Sequence, residues 1–340
     1  MTKIFLIRHA EAEGNIHRRA HGHFNGLVTV NGYRQIEQLK ERFLSEKIDA
    51  VYSSDLSRTS VTASAICEPH GLPLQATEQL REISLGAWED MPWGDIRFNE
   101  PAKCEHFNND PARWSVDGSE GYEHIKDRMS NCIMEIARRH DGGAVCVFSH
   151  GVAIRSYLCK IMGVQSHEIS KVPYCDNTAV TLIRYEGSEP TIEYRGDNSH
   201  LTSESSTLGN QTWWREKKDW LREDLRYAAL DDPQPQGSNT SYSAYMDNDR
   251  AGLLRLDPEK DKEHGVGWLD HIFLEPKYRG RGFAIQLVGQ AISEYRKRGR
   301  EKLRLAAPSD NPVSFLCQKH GFKNIDSAGA VNVYEKYIRN

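Results

Sequence analysis

No stretch of this 340-residue chain approaches the ~18 consecutive apolar residues that a membrane-spanning helix needs. The first apolar run, Ile4 to Ile7, is too short for a signal peptide, and Arg8 interrupts it. Charge of one sign is also missing. A net charge of −4 gives no electrostatic basis for a nucleic-acid or membrane-surface partner. Cysteine is scarce and odd in number, at seven, with no C-x-x-C pair. That argues against a disulfide framework and for free thiols in a reducing cytosol, so a cytoplasmic location is expected. No internal repeat is present. What is there, 38% apolar and 27% charged residues, is an ordinary globular composition, long enough for two domains with their own cores.

The first two hundred residues alternate strand and helix signals. KIFLI (3–7), AVYSS (50–54) and AVCVF (144–148) are short runs rich in Val, Ile and aromatics. Between them, TVNGYRQIEQLKERFLSEK places Ile36, Leu39 and Phe43 at helical spacing, and DRMSNCIMEIARRH does the same with Met129, Ile133 and Ile136. The alternation predicts a mostly parallel sheet covered by helices, with ligands beyond the carboxyl ends of the strands.

The residues after each run fit that expectation. The first ends at Arg8-His9, the second at Ser53-Ser54 leading to Arg58, and the third at Ser149-His150-Gly151. Two imidazoles beside two guanidiniums are costly unless an anion belongs there. Phosphate suits the set: arginine presents a planar fork to its oxygens, and a neutral imidazole can attack phosphorus. Glu82, in LREISLGAWED, lies among apolar residues and is the candidate proton donor. His17, His21 and His23 cluster in HRRAHGH, but no carboxylate or cysteine completes a ligand set, so a basic rim loop is expected and no metal.

These segments resemble the histidine phosphatase superfamily, the phosphoglycerate mutase-like enzymes, over residues 1–200. R-H-A-E-A-E-G-N is similar to the family signature R-H-G-x-[ST]-x-x-N. G-H-F-N-G-L-V-T-V-N-G-Y-R-Q, S-S-D-L-S-R-T-S-V-T-A, L-R-E-I-S-L-G-A-W-E, F-S-H-G-V-A-I-R and D-N-T-A-V-T-L follow in the family's order. The resemblance implies a three-layer α/β/α fold with His9 as the nucleophile. It further implies that Arg8, Asn15, Arg58 and His150 hold the phosphoryl group and that Glu82 acts as acid and then base. Ala10, Ala12, Asn25 and Leu27 depart from the usual Gly, Ser/Thr, Asp and Pro. The segment between Glu89 and Met129 is short, acidic and aromatic, with few basic residues, which favours a phosphatase over a mutase. Its Trp93, Phe98, Phe107 and Trp114 either line an apolar substrate pocket or cover the sheet.

Beyond Leu201 the composition turns polar. WWREKKDWLREDLRYAAL (213–230) has the spacing of an amphipathic helix, and DDPQPQGSN (231–239) breaks it. The expected layout is therefore a domain over 1–202, a linker with a Trp-rich helix over 203–238 and a second domain over 239–340. In that last part, R-G-R-G-F-A (279–284) stands between a strand and a helix with apolar Ile285, Leu287, Val288, Ala291, Ile292 and Tyr295. A Gly-rich turn opening a helix offers backbone N–H groups to a pyrophosphate.

This stretch resembles the acyl-CoA loop of the GNAT N-acetyltransferase superfamily, and D-N-P-V-S-F-L-C-Q-K-H-G-F (310–322) resembles a later segment of it. The resemblance implies an α+β domain with a mixed sheet. It implies acetyl-CoA held by Leu274, Arg279, Gly280, Arg281, Gly282, Phe283, Ala284 and Asn311, and an amine as acceptor. Cys317 stands where the family usually has Tyr. Asp270 and His271 lie near the position of a base, and strict alternation would turn only one of them to the cleft. The expected partners are a small phosphate ester and that amine, with a homodimer as the assembly. The expected function is bifunctional; the alternatives are a phosphatase with an acyl-CoA sensor, or a mutase with an accessory domain.

Overall fold

The computed structural model describes residues 1–211, 224–230 and 240–339. The chain enters through β1 (Thr2–Arg8), the short α1 (Glu13–His17) and α2 (Val30–Phe43). It continues as β2 (Ala50–Ser54), α3 (Ser57–His70), β3 (Leu74–Thr77), α4 (Trp93–Asn99), α5 (Pro101–Asn109) and α6 (Tyr122–Arg139). Then come β4 (Ala144–Ser149), α7 (Gly151–Ile161), β5 (Val180–Glu186) and β6 (Glu189–Asp197). The last part holds β7 (Arg226–Leu230), β8 (Thr240–Met246), β9 (Asp249–Asp257), β10 (Val266–Leu274) and α8 (Phe283–Lys297). It closes with β11 (Lys302–Pro308), α9 (Pro312–Lys319), β12 (Lys323–Ala328) and β13 (Val331–Tyr337).

Two compact units form. The first comprises Met1–Ala12, Ala20–Glu89 and Glu100–Arg215; the second comprises Glu13–Arg19, Asp90–Asn99 and Glu216–Asn340. Two short segments from the first half of the sequence thus belong to the second unit, so the units are not simply consecutive along the chain.

In the first unit a six-stranded sheet runs in the order β3-β2-β4-β1-β5-β6. β1 and β4, β2 and β4, and β2 and β3 pair in parallel, while β5 and β6 are antiparallel additions. Phe5 and Ile7 of β1 enter a core with Ile36, Leu39 and Phe43 of α2, and Phe5 meets Phe43 edge-on at 5.2 Å. α6 and α7 also pack against β1. Cover on both faces explains why these strands read as continuous apolar runs. The register sets Arg8 opposite Ser149 and Ser53 opposite Phe148, so the three strands deliver their carboxyl ends to one edge.

In the second unit a seven-stranded sheet runs β12-β13-β11-β10-β9-β8-β7. Among the described residues its one parallel pairing joins β10 to β11 over Val266–Trp268 and Lys302–Arg304. The apolar positions of α8 enter the core of this unit. One expectation needs correcting here. Most of the amphipathic stretch over 213–230 lies outside the described residues, but Arg226–Leu230 is a strand antiparallel to β8. Leu225, with 1% exposure, enters the core. Pairing on a sheet edge outweighs helical spacing at the end of a short segment.

Candidate functional site

In the first unit the strand ends bring Arg8, His9, Arg58, Glu82 and His150 together, all buried. The rings of His9 and His150 lie 5.3 Å apart. His9 Nδ1 is 2.7 Å from the Ala10 carbonyl. A carbonyl only accepts, so Nδ1 carries the proton and the lone pair is left on Nε2. Burial, then Arg58 and Arg8, hold the His9 pKa well below its ordinary range. Burial and Arg58 do the same to His150. Both imidazoles are therefore neutral near pH 7, as a nucleophile requires. Both ring nitrogens of His150 are buried without a hydrogen-bond partner among the described residues. Buried polar groups are ordinarily hydrogen-bonded, so these two nitrogens are available to a ligand or to water.

The guanidiniums are fixed by backbone carbonyls. Arg8 Nη1 donates to Cys175 O at 2.6 Å. Arg58 donates to Phe24 O at 2.9 Å and Gly22 O at 2.7 Å, and burial lowers its pKa to about 10. Glu82 sits at the start of α7. One of its oxygens accepts from Ile83 N at 3.0 Å and Ala153 N at 2.8 Å, the other from Val152 N at 3.0 Å. This corrects the picture of a carboxyl surrounded by apolar groups: both oxygens face backbone donors. His23 Nε2 and Arg128 Nη2 hold the Glu82 carbonyl at 2.9 and 3.0 Å.

Several supporting residues had no assigned role in the sequence reading. Glu89 accepts from the backbone N–H groups of Gly22, His23 and Phe24 at 3.1, 2.8 and 2.9 Å, and so sets the loop whose carbonyls hold Arg58. Glu11 is buried and accepts from Thr29 Oγ1 at 2.6 Å and Thr207 Oγ1 at 2.9 Å. Thr29 caps α2, and Gln35 accepts from Glu11 N at 2.8 Å. A Cβ on Gly32 would lie 2.2 Å from the Glu11 carbonyl, which explains the glycine in T-V-N-G-Y-R-Q. Asn25 Oδ1 accepts from Ser57 N at 3.0 Å at the start of α3, a role open to the family's usual aspartate as well.

The aromatic residues divide. Trp88, Phe107 and Trp114 pack on one another with centroids 4.9–6.0 Å apart and are buried, so Phe107 and Trp114 cover the unit and do not line an open pocket. Trp93 and Phe98 belong to the second unit, as do Asn15 and His17 on α1. The described residues hold no metal-ligand group of three or more His, Cys, Asp or Glu.

In the second unit Gly280 and Gly282 take φ values of 72° and 82°, left-handed backbone that favours glycine. Beyond the glycine itself and its chain neighbours, nothing lies within 4 Å of the position a Cβ would take on either. Gly282 is the N-cap of the 15-residue α8, so the loop presents that helix's first N–H groups. Arg279 Nε donates to Leu274 O at 2.9 Å. Asn311 spends its side-chain oxygen capping α9, on Val313 N at 2.9 Å. The alternation expected at Asp270 and His271 fails. A bulge between Leu269 and His271 leaves both residues exposed, with Asp270 paired to Arg255 at 2.5 Å. Cys317 is fully buried, and burial raises its thiol pKa to about 12.

The depressed histidines fix the sign of a pH effect. As pH falls through about 6.5, the unfolded chain takes up protons that folded His9 and His150 resist. His200, lowered to about 4 mainly by burial, behaves alike. Their stability contribution is complete above that pH and is lost as pH falls toward the folded values. Calorimetric melting is expected to occur at lower temperature at about pH 5.5 than at about pH 7.5, and His150→Gln should reduce the difference. An equal difference in both proteins would contradict the assignment for His150.

Comparison with known proteins gives these arrangements a family. The model of the histidine phosphatase superfamily (branch 1) matches residues 4–198, and that of the acetyltransferase (GNAT) family matches residues 207–322. Phosphoserine phosphatase 1 of Hydrogenobacter thermophilus is 29% identical over 201 residues, which are 59% of this chain and 95% of that protein. Phosphoglycerate mutase-like protein 4 of Arabidopsis thaliana is 31% identical over 206 residues, covering 59% of this chain and 87% of its own length. Bacillus stearothermophilus YhfR superposes with a TM-score of 0.58 at 28% identity, covering 59% of this chain and all of its own (100%). The chain belongs to branch 1 of the histidine phosphatase superfamily, and a GNAT-family domain is fused to it.

Proposed function

We propose that the chain is a bifunctional enzyme: a phosphomonoesterase working through a phosphohistidine on a small phosphorylated metabolite, and an acetyl-CoA-dependent N-acetyltransferase. One observation carries the first half. His9 is neutral, its Nδ1–H is committed to Ala10 O, and its Nε2 lone pair lies in a site with Arg8, Arg58 and the unpartnered His150. In the reaction Nε2 attacks phosphorus and the bond to the leaving oxygen breaks. Arg8, Arg58 and His150 balance charge on the phosphoryl oxygens. Glu82 gives its proton to the leaving oxygen, and then takes one from the water that attacks the P–N bond. Free phosphate leaves and His9 is regenerated. The likeness to a phosphoserine phosphatase supports a small phosphorylated metabolite as substrate. A panel of such metabolites, screened for phosphate release, tests the reading. Isomerisation of a phosphoglycerate without phosphate release would favour the mutase instead.

For the second half, the positive-φ glycines and the open space beside them fit a pyrophosphate. Arg279 to Ala284 would hold acetyl-CoA, which supplies the acetyl group; among the other positions, Leu274 could offer only backbone, being in the core, and Asn311 already caps α9. Buried Cys317 favours one second reading, a domain that binds acyl-CoA without completing transfer. A thiol-release assay with candidate amines separates the two. Gly282→Glu would place bulk and negative charge against the phosphates and a side chain at φ 82°. Calorimetry is expected to show acetyl-CoA binding to the wild type and none to this variant; equal binding would make the loop a structural turn.

A further inference from the structure

The last strand of the first unit, β6, ends at Asp197, yet the unit takes in the polar residues that follow. Among these Ser205, Thr207 and Leu208 are buried, at 0%, 3% and 7% exposure. Side chains of the segment fix its turn: Thr202 N donates to Ser205 Oγ at 2.9 Å, and Ser206 N donates to Thr202 O at 3.0 Å. Two sets of bonds run from this turn back into the unit. One set reaches the loop after β1 and the start of α2. Thr207 Oγ1 donates to Glu11 Oε2 at 2.9 Å and accepts from Gln35 Nε2 at 2.9 Å. The Ser205 carbonyl accepts from the same Gln35 nitrogen at 2.7 Å and from Asn31 Nδ2 at 3.0 Å. The other set reaches the loop before β5. Ser206 Oγ donates to Asp176 Oδ2 at 2.5 Å, and Leu208 N donates to Asp176 Oδ1 at 3.1 Å.

Both loops lead to His9. Glu11 stands two residues after it. Asp176 Oδ1 accepts from Asn177 N at 2.9 Å, and Asn177 Nδ2 donates to His9 O at 2.8 Å. Thr178 N donates to Arg8 O at 3.1 Å. Glu11 and Asp176 are buried carboxylates, so every donor they meet matters. A hydroxyl removed from the turn leaves one carboxylate oxygen short of a donor, and the loop that carries it must shift to find another. We propose that residues 205–208 are a positioning element for the nucleophile, with Thr207 and Ser206 as its positioning residues. Thr207 acts through Glu11 on the loop after His9, and Ser206 acts through Asp176 and Asn177 on the His9 carbonyl. The inference rests on the proposed phosphatase function.

Thr207→Val keeps the shape of the side chain and removes both of its hydrogen bonds, whereas Thr207→Ser keeps the hydroxyl. Ser206→Ala removes the bond to Asp176. The full chain is assayed with p-nitrophenyl phosphate by stopped flow, and the imidazole nitrogens of His9 are followed by NMR in protein labelled with ¹⁵N-histidine. Their signals are assigned by their loss in His9→Ala. Thr207→Val and Ser206→Ala are each expected to slow the first turnover by roughly tenfold or more, the scale on which small displacements of a reacting group register. The His9 signals should move in both variants, circular dichroism should stay unchanged, and Thr207→Ser should recover most of the rate and the original signals. Rates within about twofold of wild type in both variants would overturn the positioning role. So would a loss that serine at 207 does not recover, or His9 signals that stay in place. Where Thr207→Val fails to fold, Ser206→Ala decides alone. A wild type that hydrolyses no phosphomonoester overturns the proposed function, whereas the His9 signals need no turnover and still read the positioning of the imidazole.

Discussion

His9→Ala is expected to abolish hydrolysis of every phosphomonoester the wild type accepts. Removing a nucleophile that acts with its neighbours as one unit costs roughly 10⁵-fold or more. The substitution should leave the fold intact. His9 follows the last residue of β1, and its backbone bonds, to Ser149 O at 3.0 Å and from Asn177 Nδ2 at 2.8 Å, do not involve the imidazole. Truncation also relieves the site of a buried ring crowded by Arg8 and Arg58. Circular dichroism and the melting temperature should match wild type while phosphate release falls to background. Substantial turnover in a folded variant would remove His9 from the nucleophile's role.

Glu82→Gln should produce the second-largest effect, and one that depends on the leaving group. The amide has nearly the same shape but cannot hand a proton to an alkoxide. Phosphorylation by esters of poor leaving groups should slow by roughly 10²–10⁴-fold. p-Nitrophenolate leaves without a proton, so its first turnover should be little affected. Glu82 also accepts from Val152 N, Ala153 N and Ile83 N, and the contrast between leaving groups separates proton transfer from that structural role. Stopped-flow comparison of p-nitrophenyl phosphate with an alkyl phosphate checks this. Equal slowing of both first turnovers would assign Glu82 another task, such as holding the turn into α7.

The main site was legible because its physics is local. A buried strand ends near the end of its apolar run, and the neighbouring parallel strands end at the same edge. Arg8-His9, Ser53-Ser54 and Ser149-His150 could therefore be gathered from spacing alone. Glu11 and Glu89 were not legible, because their work is to accept hydrogen bonds from residues distant in sequence, such as Thr207 for Glu11. At Asp270 the alternation rule failed because one inserted residue makes a bulge that no composition signal announces. Arg226–Leu230 was misread because Leu221, Leu225 and Ala228 keep helical spacing while the partner strand lies further on. The polar face of α8 was hidden for a related reason. Gln286, Gln290 and Ser293 look like a solvated surface until the residues that bond them, more than two hundred positions earlier for Arg19, are folded against them.

The central claim is a phosphoryl group carried on His9, and it can be read by trapping that group. In Glu82→Gln the base that activates water is also gone, so enzyme phosphorylated by p-nitrophenyl phosphate should accumulate. Phosphohistidine survives alkali, and the mixture is therefore quenched in alkaline denaturant, digested and analysed by mass spectrometry. The account predicts a single phosphoryl group on the peptide containing His9, with a stoichiometric burst of p-nitrophenolate. Phosphate on another residue, or a burst-free steady state with unmodified His9, would contradict it.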